Sequence, residues 1–257
     1  MAEAALVWPQ WSLPRGVHAF VTTRHGGSSQ PPWHSFNLGQ HVGDSADAVA
    51  ANRQQLLAAL QQQSGAATVQ IQWPQQVHGV NVVSINQIQQ PPPIADALYT
   101  QQRGIALAVL TADCLPVLFC SQDGREVAVA HAGWRGMCNG ILEATAAQFR
   151  CAPAAIRCWL GPAIGPCHFE VGADVRDAFI MLSRQSNMAA TKAAFTAAKP
   201  GKWMADLYAL ARIRLQIAGI NDISGTVQCT QCRHDDYYSY RREHDTGRFA
   251  TGIVISG

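Results

Sequence analysis

Three apolar segments follow one another in the middle of the chain, and no predicted helix separates one from the next. They cover residues 105–110, 117–120 and 126–130. Short apolar runs bounded by turn residues are typical of buried strands. Strands and helices therefore do not alternate strictly along this chain, which favours an α+β fold over a doubly wound parallel sheet.

Helical periodicity and strand patterns predict the remaining elements. Asp44 and Ser45 precede an amphipathic run over 46–63 that we expect to end near Gly65. Further helices are predicted over 139–150, 173–184 and 206–218, the last closed by Gly219. Further strands are predicted over 69–73, 80–85, 157–160, 227–229 and 251–255.

The composition indicates one large folded domain. The chain has 257 residues, of which 48% are hydrophobic and 14% charged, the opposite of a disordered chain. No internal repeat or shift in composition divides it, so we predict a single catalytic domain over residues 1–257.

Charge and cysteine content limit the partners and the compartment. The formal net charge is +2, and the only dense basic cluster is Arg241-Arg242, which suits a small anion and not a nucleic acid. The longest apolar stretch, 105–110, is far shorter than the about 20 residues of a membrane span. The N-terminus has no signal-peptide pattern, so we expect a cytoplasmic protein whose eight cysteines are mostly buried or ligating rather than paired.

Common nucleotide and hydrolase motifs do not occur in the sequence. Neither G-x-G-x-x-G nor G-x-x-x-x-G-K-[ST] is present, and H-E-x-x-H and G-x-S-x-G are also missing. Cys229 and Cys232 form a single CxxC pair. Because a structural zinc needs two further ligands, the pair alone favours a structural or incidental role.

Three metal-capable side chains lie at or beyond predicted strand ends, in turns that carry Gly or Pro. They are His78, Cys114 and His131. Two imidazoles and a thiolate suit Zn²⁺ and leave a fourth position open, and Asp113 could orient a ligand or act as an acid or base. Spacing alone leaves the alternative open, since a single His or Cys beside a strand usually serves packing or hydrogen bonding.

Several longer segments carry a family resemblance. They are Gln76-Val77-His78-Gly79, 96–100, 111–117, 129–136 and 160–167, with 23–28 and 36–39 near the N-terminus and 238–242 and 246–248 near the C-terminus. Together they resemble the bacterial YfiH-like family, also labelled multicopper polyphenol oxidase or laccase-domain proteins, over nearly the whole chain. The sequence departs from the family pattern at 137–139, which leaves the three ligand positions unchanged.

The resemblance implies both a fold and a metal site. The implied fold is α+β, with layered sheets flanked by helices, similar to a group of cysteine hydrolases. The implied metal site consists of His78, Cys114 and His131, with zinc as the expected ion and copper possible because Cu²⁺ outcompetes Zn²⁺ at most N/S ligands.

Three activities are associated with the family. The first is phosphorolysis of adenosine, inosine or methylthioadenosine, together with adenosine deamination, and a zinc ion with an open position suits both. The second is editing of peptidoglycan precursors, in which misincorporated serine is removed from UDP-MurNAc. The third, copper-dependent polyphenol oxidation, is disfavoured because the nine histidines include no His-x-His pair. The sequence does not rank the purine substrate against the cell-wall substrate.

Arginines are the candidate phosphate ligands, because guanidinium groups match phosphate oxygens. The candidates are Arg24, Arg135, Arg241 and Arg248, of which we favour Arg135 and Arg241. Asn37 and Asp206 are further candidates for substrate contact. Asn37 could instead stabilise a turn, and Asp206 could be the N-cap of its helix.

Two other readings of the same residues stay open. In a metal-free hydrolase, Cys114 would be the nucleophile, His131 its base and the N–H of Leu115 an oxyanion donor. In a non-catalytic zinc-binding module, the metal would serve the fold alone. Metal stoichiometry separates the first reading from a zinc enzyme, and the sequence does not indicate an oligomeric state.

Overall fold

The computed structural model describes residues 6–64, 68–225 and 227–256. The strands are β1 (Leu6–Val7), β2 (Val17–Thr22), β3 (Gln70–Gln72), β4 (Val82–Ser84), β5 (Ala97–Thr100), β6 (Ile105–Thr111), β7 (Leu115–Ser121), β8 (Val127–Ala132), β9 (Ile156–Leu160), β10 (Glu170–Gly172), β11 (Phe195–Ala197), β12 (Lys202–Ala205), β13 (Asp222–Ser224) and β14 (Phe249–Ile255). The helices are α1 (Ala46–Ser64), α2 (Trp134–Asn139), α3 (Ile141–Ala146), α4 (Ala173–Met181), α5 (Met188–Ala193), α6 (Leu207–Ile217) and α7 (Tyr240–Glu243).

The strands form two large sheets and one small sheet. The six-stranded sheet has the order β13-β9-β7-β8-β5-β4, and the five-stranded sheet has the order β1-β2-β14-β6-β3. Strands β10, β12 and β11 form the small sheet. Both large sheets mix parallel and antiparallel pairs, so the predicted α+β class is confirmed.

Alternating side chains of the central strands fill separate cores. Leu107 and Val109 of β6 pack with Leu118 of β7 between the two large sheets. Ala106 and Ala108 of β6 face the opposite way, toward the core that includes residues of α1. Phe119 of β7 packs with residues of α3, α4 and α6. The result is two stacked sheets with helices outside them, the layered arrangement that the resemblance implies.

The element boundaries confirm some sequence predictions and correct others. The helix predicted over 46–63 is α1, while its expected end at Gly65 lies outside the described residues. The helix predicted over 139–150 is confirmed as α3 but is shorter than predicted, and helical structure already begins at Trp134 and is divided at Gly140, whose φ of 101° ends α2. The strand predicted over 227–229 is wrong, since Cys229 forms only an isolated bridge to Ala163. Among the described residues, no helix combines the length and apolarity needed to cross a membrane.

Gly252 in the central strand β14 gives a test of the sheet packing. A Cβ at this position would clash with the Phe20 ring and lie 2.5 Å from the carbonyl oxygen of Leu107. We expect Gly252→Ala to lower the free energy of unfolding by about 1–3 kcal/mol through overpacking, measured by urea denaturation. Thr196→Ala, at an exposed position of β11, is the control and should stay within about 0.5 kcal/mol of wild type. Equal stability of the two variants would contradict the close packing.

Candidate metal centre

Three neighbouring turns and strands bring His78, Cys114 and His131 together. His78 lies in the turn between β3 and β4, and Cys114 lies in the turn between β6 and β7. His131 lies inside β8, one residue before its end, opposite Pro116 of β7. The possible ligand atoms of the three side chains lie within 4.8 Å of one another, and Cys114 Sγ is 3.8 Å from His78 Nε2.

Asp96 organises two of these three side chains. Its Oδ1 lies 2.9 Å from His131 Nδ1 and also accepts the backbone N–H of His78 at 2.9 Å. Its Oδ2 accepts the N–H groups of Gly79 and Val77 at 2.6 Å and 3.3 Å. The carboxylate therefore holds the turn in which His78 adopts a φ of 59°, and it leaves His131 Nε2 as the ring nitrogen available to a ligand.

The charges of Cys114 and His131 stabilise each other. Burial raises the pKa of the Cys114 thiol, but the charge of His131 and hydrogen bonds from His131 and His78 outweigh it and lower the pKa to about 6. Burial lowers the pKa of His131, but Cys114 and the hydrogen bond to Asp96 outweigh it and raise the pKa to about 9. Cys114 is thus a thiolate at neutral pH, which is the form that ligates metals.

The space between the three side chains fits a metal ion. A Cβ at position 133 would lie 3.0 Å from His78 Cδ2 and 3.1 Å from Cys114 Sγ, so Gly133 keeps that space open. A Cβ at position 136 would lie 2.7 Å from the carbonyl oxygen of Gly79, so Gly136 lets α2 approach the His78 turn. The trio could therefore bind a metal through two imidazole nitrogens and one sulfur, a donor set that suits zinc or copper.

The trio opens into a cavity of about 850 Å³. Aromatic rings form part of its wall, and these are Trp73, Trp134, Phe169 and Tyr240. Four guanidinium groups also line it, those of Arg53, Arg135, Arg241 and Arg248. A cavity of this size, lined by both aromatic rings and guanidinium groups, suits an aromatic ligand that carries an anionic group or binds together with an anion.

The four cavity arginines contact mainly backbone carbonyls and aromatic rings. Arg53 donates to the carbonyl of Leu38 and lies over the Trp73 ring, and Arg135 lies over the Trp134 ring. Arg241 donates to the carbonyls of His168 and Glu170 and lies over the Phe169 ring. Arg248 donates to the carbonyls of Thr246 and Gly247 and lies over the Tyr240 ring. In the described part of the chain, none of the four forms an ion pair with a carboxylate. Their positive charge is thus available to an anionic ligand.

Asp113 lines the cavity, but its carboxylate is held by the C-terminal part of the chain. Thr230 Oγ1 donates to Oδ1 at 2.6 Å, and the backbone N–H of Arg241 donates to Oδ2 at 2.7 Å. These bonds tie Arg241 to the turn that carries Cys114. The acid or base role predicted for Asp113 stays a prediction.

Three other predicted substrate residues lie outside the cavity lining. Arg24 forms an ion pair with Glu243 at 3.0 Å and stacks on Tyr238. Asn37 is fully buried and bonds Gly39 and the N–H of Arg248, so it fixes the backbone of a cavity arginine. Asp206 is the N-cap of α6 and accepts the N–H groups of Tyr208 and Ala209. Their predicted contacts with substrate stay predictions.

Several residues at or near the cavity were not singled out from the sequence. Asp96 belongs to one of the family segments, but nothing in its spacing shows that it reaches His131. Arg53 lies on α1 and resembles any helix-surface arginine in sequence. Cys167 and His168 lie beside the Cys229-x-x-Cys232 pair in a second group of possible metal ligands.

The fold and the site together define a class of protein: layered α+β sheets that present a Cys/His trio at an arginine-lined cavity. The family model described as multi-copper polyphenol oxidoreductase laccase matches residues 18–256. The chain belongs to this family, which confirms the resemblance to YfiH-like proteins.

Individual relatives agree with this assignment over nearly their full lengths. The purine nucleoside phosphorylase YfiH of Shigella flexneri is 46% identical over 250 residues, which cover 97% of this chain and 98% of that protein. The protein of the same name from Escherichia coli strain K12 is 45% identical with the same coverage. A crystal structure of a Neisseria meningitidis protein superposes with a TM-score of 0.90 at 41% identity, covering 99% of this chain and 100% of that one.

Proposed function

We propose that this chain is a zinc-dependent purine nucleoside phosphorylase that acts on adenosine, inosine or methylthioadenosine, and that it also deaminates adenosine. The observation that carries the proposal is the presence of the Cys/His trio and four guanidinium groups at one cavity. Phosphorolysis requires a site for an aromatic base beside a site for phosphate, and the cavity has aromatic rings and positive charge. The names of the relatives support the same reaction class.

His78, Cys114 and His131 are the proposed zinc ligands. Zinc with three protein ligands supplies a Lewis acid with an open fourth position. Asp96 fixes the His131 ring through Nδ1, so that Nε2 is the ligating nitrogen. Copper added to the protein is expected to enter the same site, since Cu²⁺ binds N/S ligands more tightly than Zn²⁺.

Arg135 and Arg241 are the proposed phosphate ligands. Arg135 is exposed to the cavity on α2, two residues after Gly133, the glycine that keeps the space between the trio open. Asp113 positions Arg241 by accepting its backbone N–H, and the carbonyls of His168 and Glu170 hold its guanidinium group. The rings of Trp134 and Phe169 are the surfaces on which we place the purine base.

We further propose that residues 1–257 form one catalytic domain acting on small molecules in the cytoplasm. The match of a single family model over residues 18–256 supports the single domain.

Phosphate dependence provides the test of this function. We expect turnover of inosine to require phosphate, and Arg135→Gln to raise the KM for phosphate about 10–100-fold, because one charge-assisted interaction contributes about 1.5–3 kcal/mol. The KM for inosine should change much less. Steady-state kinetics with phosphate and inosine varied separately measures both constants.

The control for this experiment is Arg125→Gln. The Arg125 side chain is 84% exposed and pairs with Asp123 on the surface, so both constants should match those of wild type. Turnover that is independent of phosphate, or cleavage of seryl UDP-MurNAc without nucleoside turnover, would rule out the proposed reaction.

A further inference from the structure

A second group of metal-capable side chains lies apart from the Cys/His trio. It consists of Cys167, His168, Cys229 and Cys232. The sulfur atoms of Cys167 and Cys232 are 3.6 Å apart. The Nδ1 atom of His168 lies 3.2 Å from the sulfur of Cys167, 3.4 Å from that of Cys232 and 3.6 Å from that of Cys229.

We propose that these four side chains bind one tetrahedral Zn²⁺ ion in a closed, structural site. Three thiolates and one imidazole are a donor set that structural zinc sites use. In a regular tetrahedron with Zn–S of about 2.3 Å and Zn–N of about 2.1 Å, neighbouring sulfurs are about 3.8 Å apart and sulfur and nitrogen about 3.6 Å apart. The observed separations lie within a few tenths of an ångström of these edges, whereas a disulfide needs sulfurs about 2.05 Å apart.

The backbone is arranged to bring the two cysteine-bearing segments together. The N–H of Thr230 donates to the carbonyl of Ala163, and the N–H of Ala163 donates to the carbonyl of Gln228. Gly165 leaves room for the group, because a Cβ there would lie 3.0 Å from Cys229 Cβ and 3.4 Å from the sulfur atoms of Cys167 and Cys229. These backbone hydrogen bonds hold the two segments, and with them the four side chains, next to each other.

A zinc ion at this position would connect the two segments that carry its ligands, and each of these segments contacts residues at the cavity. Phe169, directly after His168, lines the cavity, and the His168 carbonyl accepts a hydrogen bond from the Arg241 side chain. On the other segment, Thr230 donates to Asp113, beside Cys114. The proposed structural site is therefore adjacent to residues that shape the cavity.

Metal counting on the full-length protein tests the proposal. The wild type is purified under reducing conditions without added metal, and zinc per chain is determined by inductively coupled plasma mass spectrometry. We expect about two zinc ions per wild-type chain, and a loss of one ion in Cys167→Ser and in Cys232→Ser, whose side chains are both exposed. Cys151→Ser, a change at a cysteine outside both groups, is the matched control and should keep both ions.

X-ray absorption at the zinc edge makes the test independent of whether the serine variants fold. In wild type, two sites with three sulfurs and one sulfur give an average of about two sulfur ligands per zinc. In Cys114→Ala the remaining zinc should have three sulfurs and one nitrogen. One zinc with a single sulfur ligand in wild type, or a disulfide among Cys167, Cys229 and Cys232 in the reduced preparation, would overturn the proposal.

Discussion

Replacing Cys114 by alanine is expected to remove one metal ion per chain and to reduce nucleoside turnover by roughly a thousandfold. The Cys114 sulfur lies 3.8 Å from His78 Nε2, and among the residues that the structure describes no other cysteine belongs to that group. Loss of a Lewis acid removes several kcal/mol of transition-state stabilisation, and each 1.4 kcal/mol corresponds to about a factor of ten in rate. Metal analysis and turnover assays on the same preparation measure both effects.

A cysteine nucleophile would also make Cys114 essential, so a second variant is needed to separate the two mechanisms. His78→Asn removes a proposed zinc ligand but leaves Cys114 and His131 in place. Asn is the appropriate replacement because His78 has a φ of 59°, a conformation that Asn adopts more readily than most residues. The zinc mechanism predicts that His78→Asn loses metal and turnover together.

The metal-free hydrolase makes the opposite prediction for the same variant. With Cys114 as nucleophile and His131 as base, His78→Asn should keep most of its activity without bound metal at the trio. That result would refute the proposed zinc enzyme. Loss of turnover while circular dichroism stays unchanged would argue against a zinc-binding module that has no catalytic role.

The closeness of Cys114 and His131 could be predicted from the sequence, because it depends mainly on features that are near each other in the chain. Cys114 follows an apolar strand, and β7 and β8 are consecutive antiparallel strands. Their pairing places His131 opposite Pro116, which lies two residues after Cys114. The position of His78 depends on a separate turn, and the family resemblance, rather than spacing, indicated its membership.

Other parts of the site depend on contacts that local sequence does not encode. Asp96 and His131 are separated by 35 residues, and Cys229 lies 61 residues from His168. Each pair forms only because sheets and turns distant in sequence pack together. The Cys229-x-x-Cys232 pair was a weak signal for the same reason, since its two additional ligands lie on another segment.

Secondary-structure errors arose where packing overrode local preference. The helix predicted after β8 starts only at residue 139 and leaves Trp134-Arg135-Gly136 outside it. In the structure these residues begin α2, and Gly136 is needed because the helix approaches the carbonyl of Gly79 closely. The start of this helix, which carries Arg135 to the cavity, was therefore placed too late along the chain.

Asp96→Asn is expected to weaken metal binding at the trio about 10–100-fold, because side chains that orient a ligating histidine commonly have effects of this size. Four donors point at the Asp96 carboxylate, three of them backbone N–H groups and the fourth His131 Nδ1. An asparagine of the same shape presents only one oxygen, so at least one donor must face its NH₂ group. Competition with a chelator of known zinc affinity measures the change.

Glu126→Gln is the matched control for this prediction. Glu126 is also buried and accepts bonds from Tyr99 Oη and from the backbone N–H groups of Arg150 and Cys151. It precedes β8, at the end of that strand away from His131. Both variants should lose about 1–3 kcal/mol of unfolding free energy, as expected when buried donors lose an acceptor. Only Asp96→Asn should lower zinc affinity at the trio; an equal loss in both variants would mean that Asp96 acts through general stability and not by orienting His131.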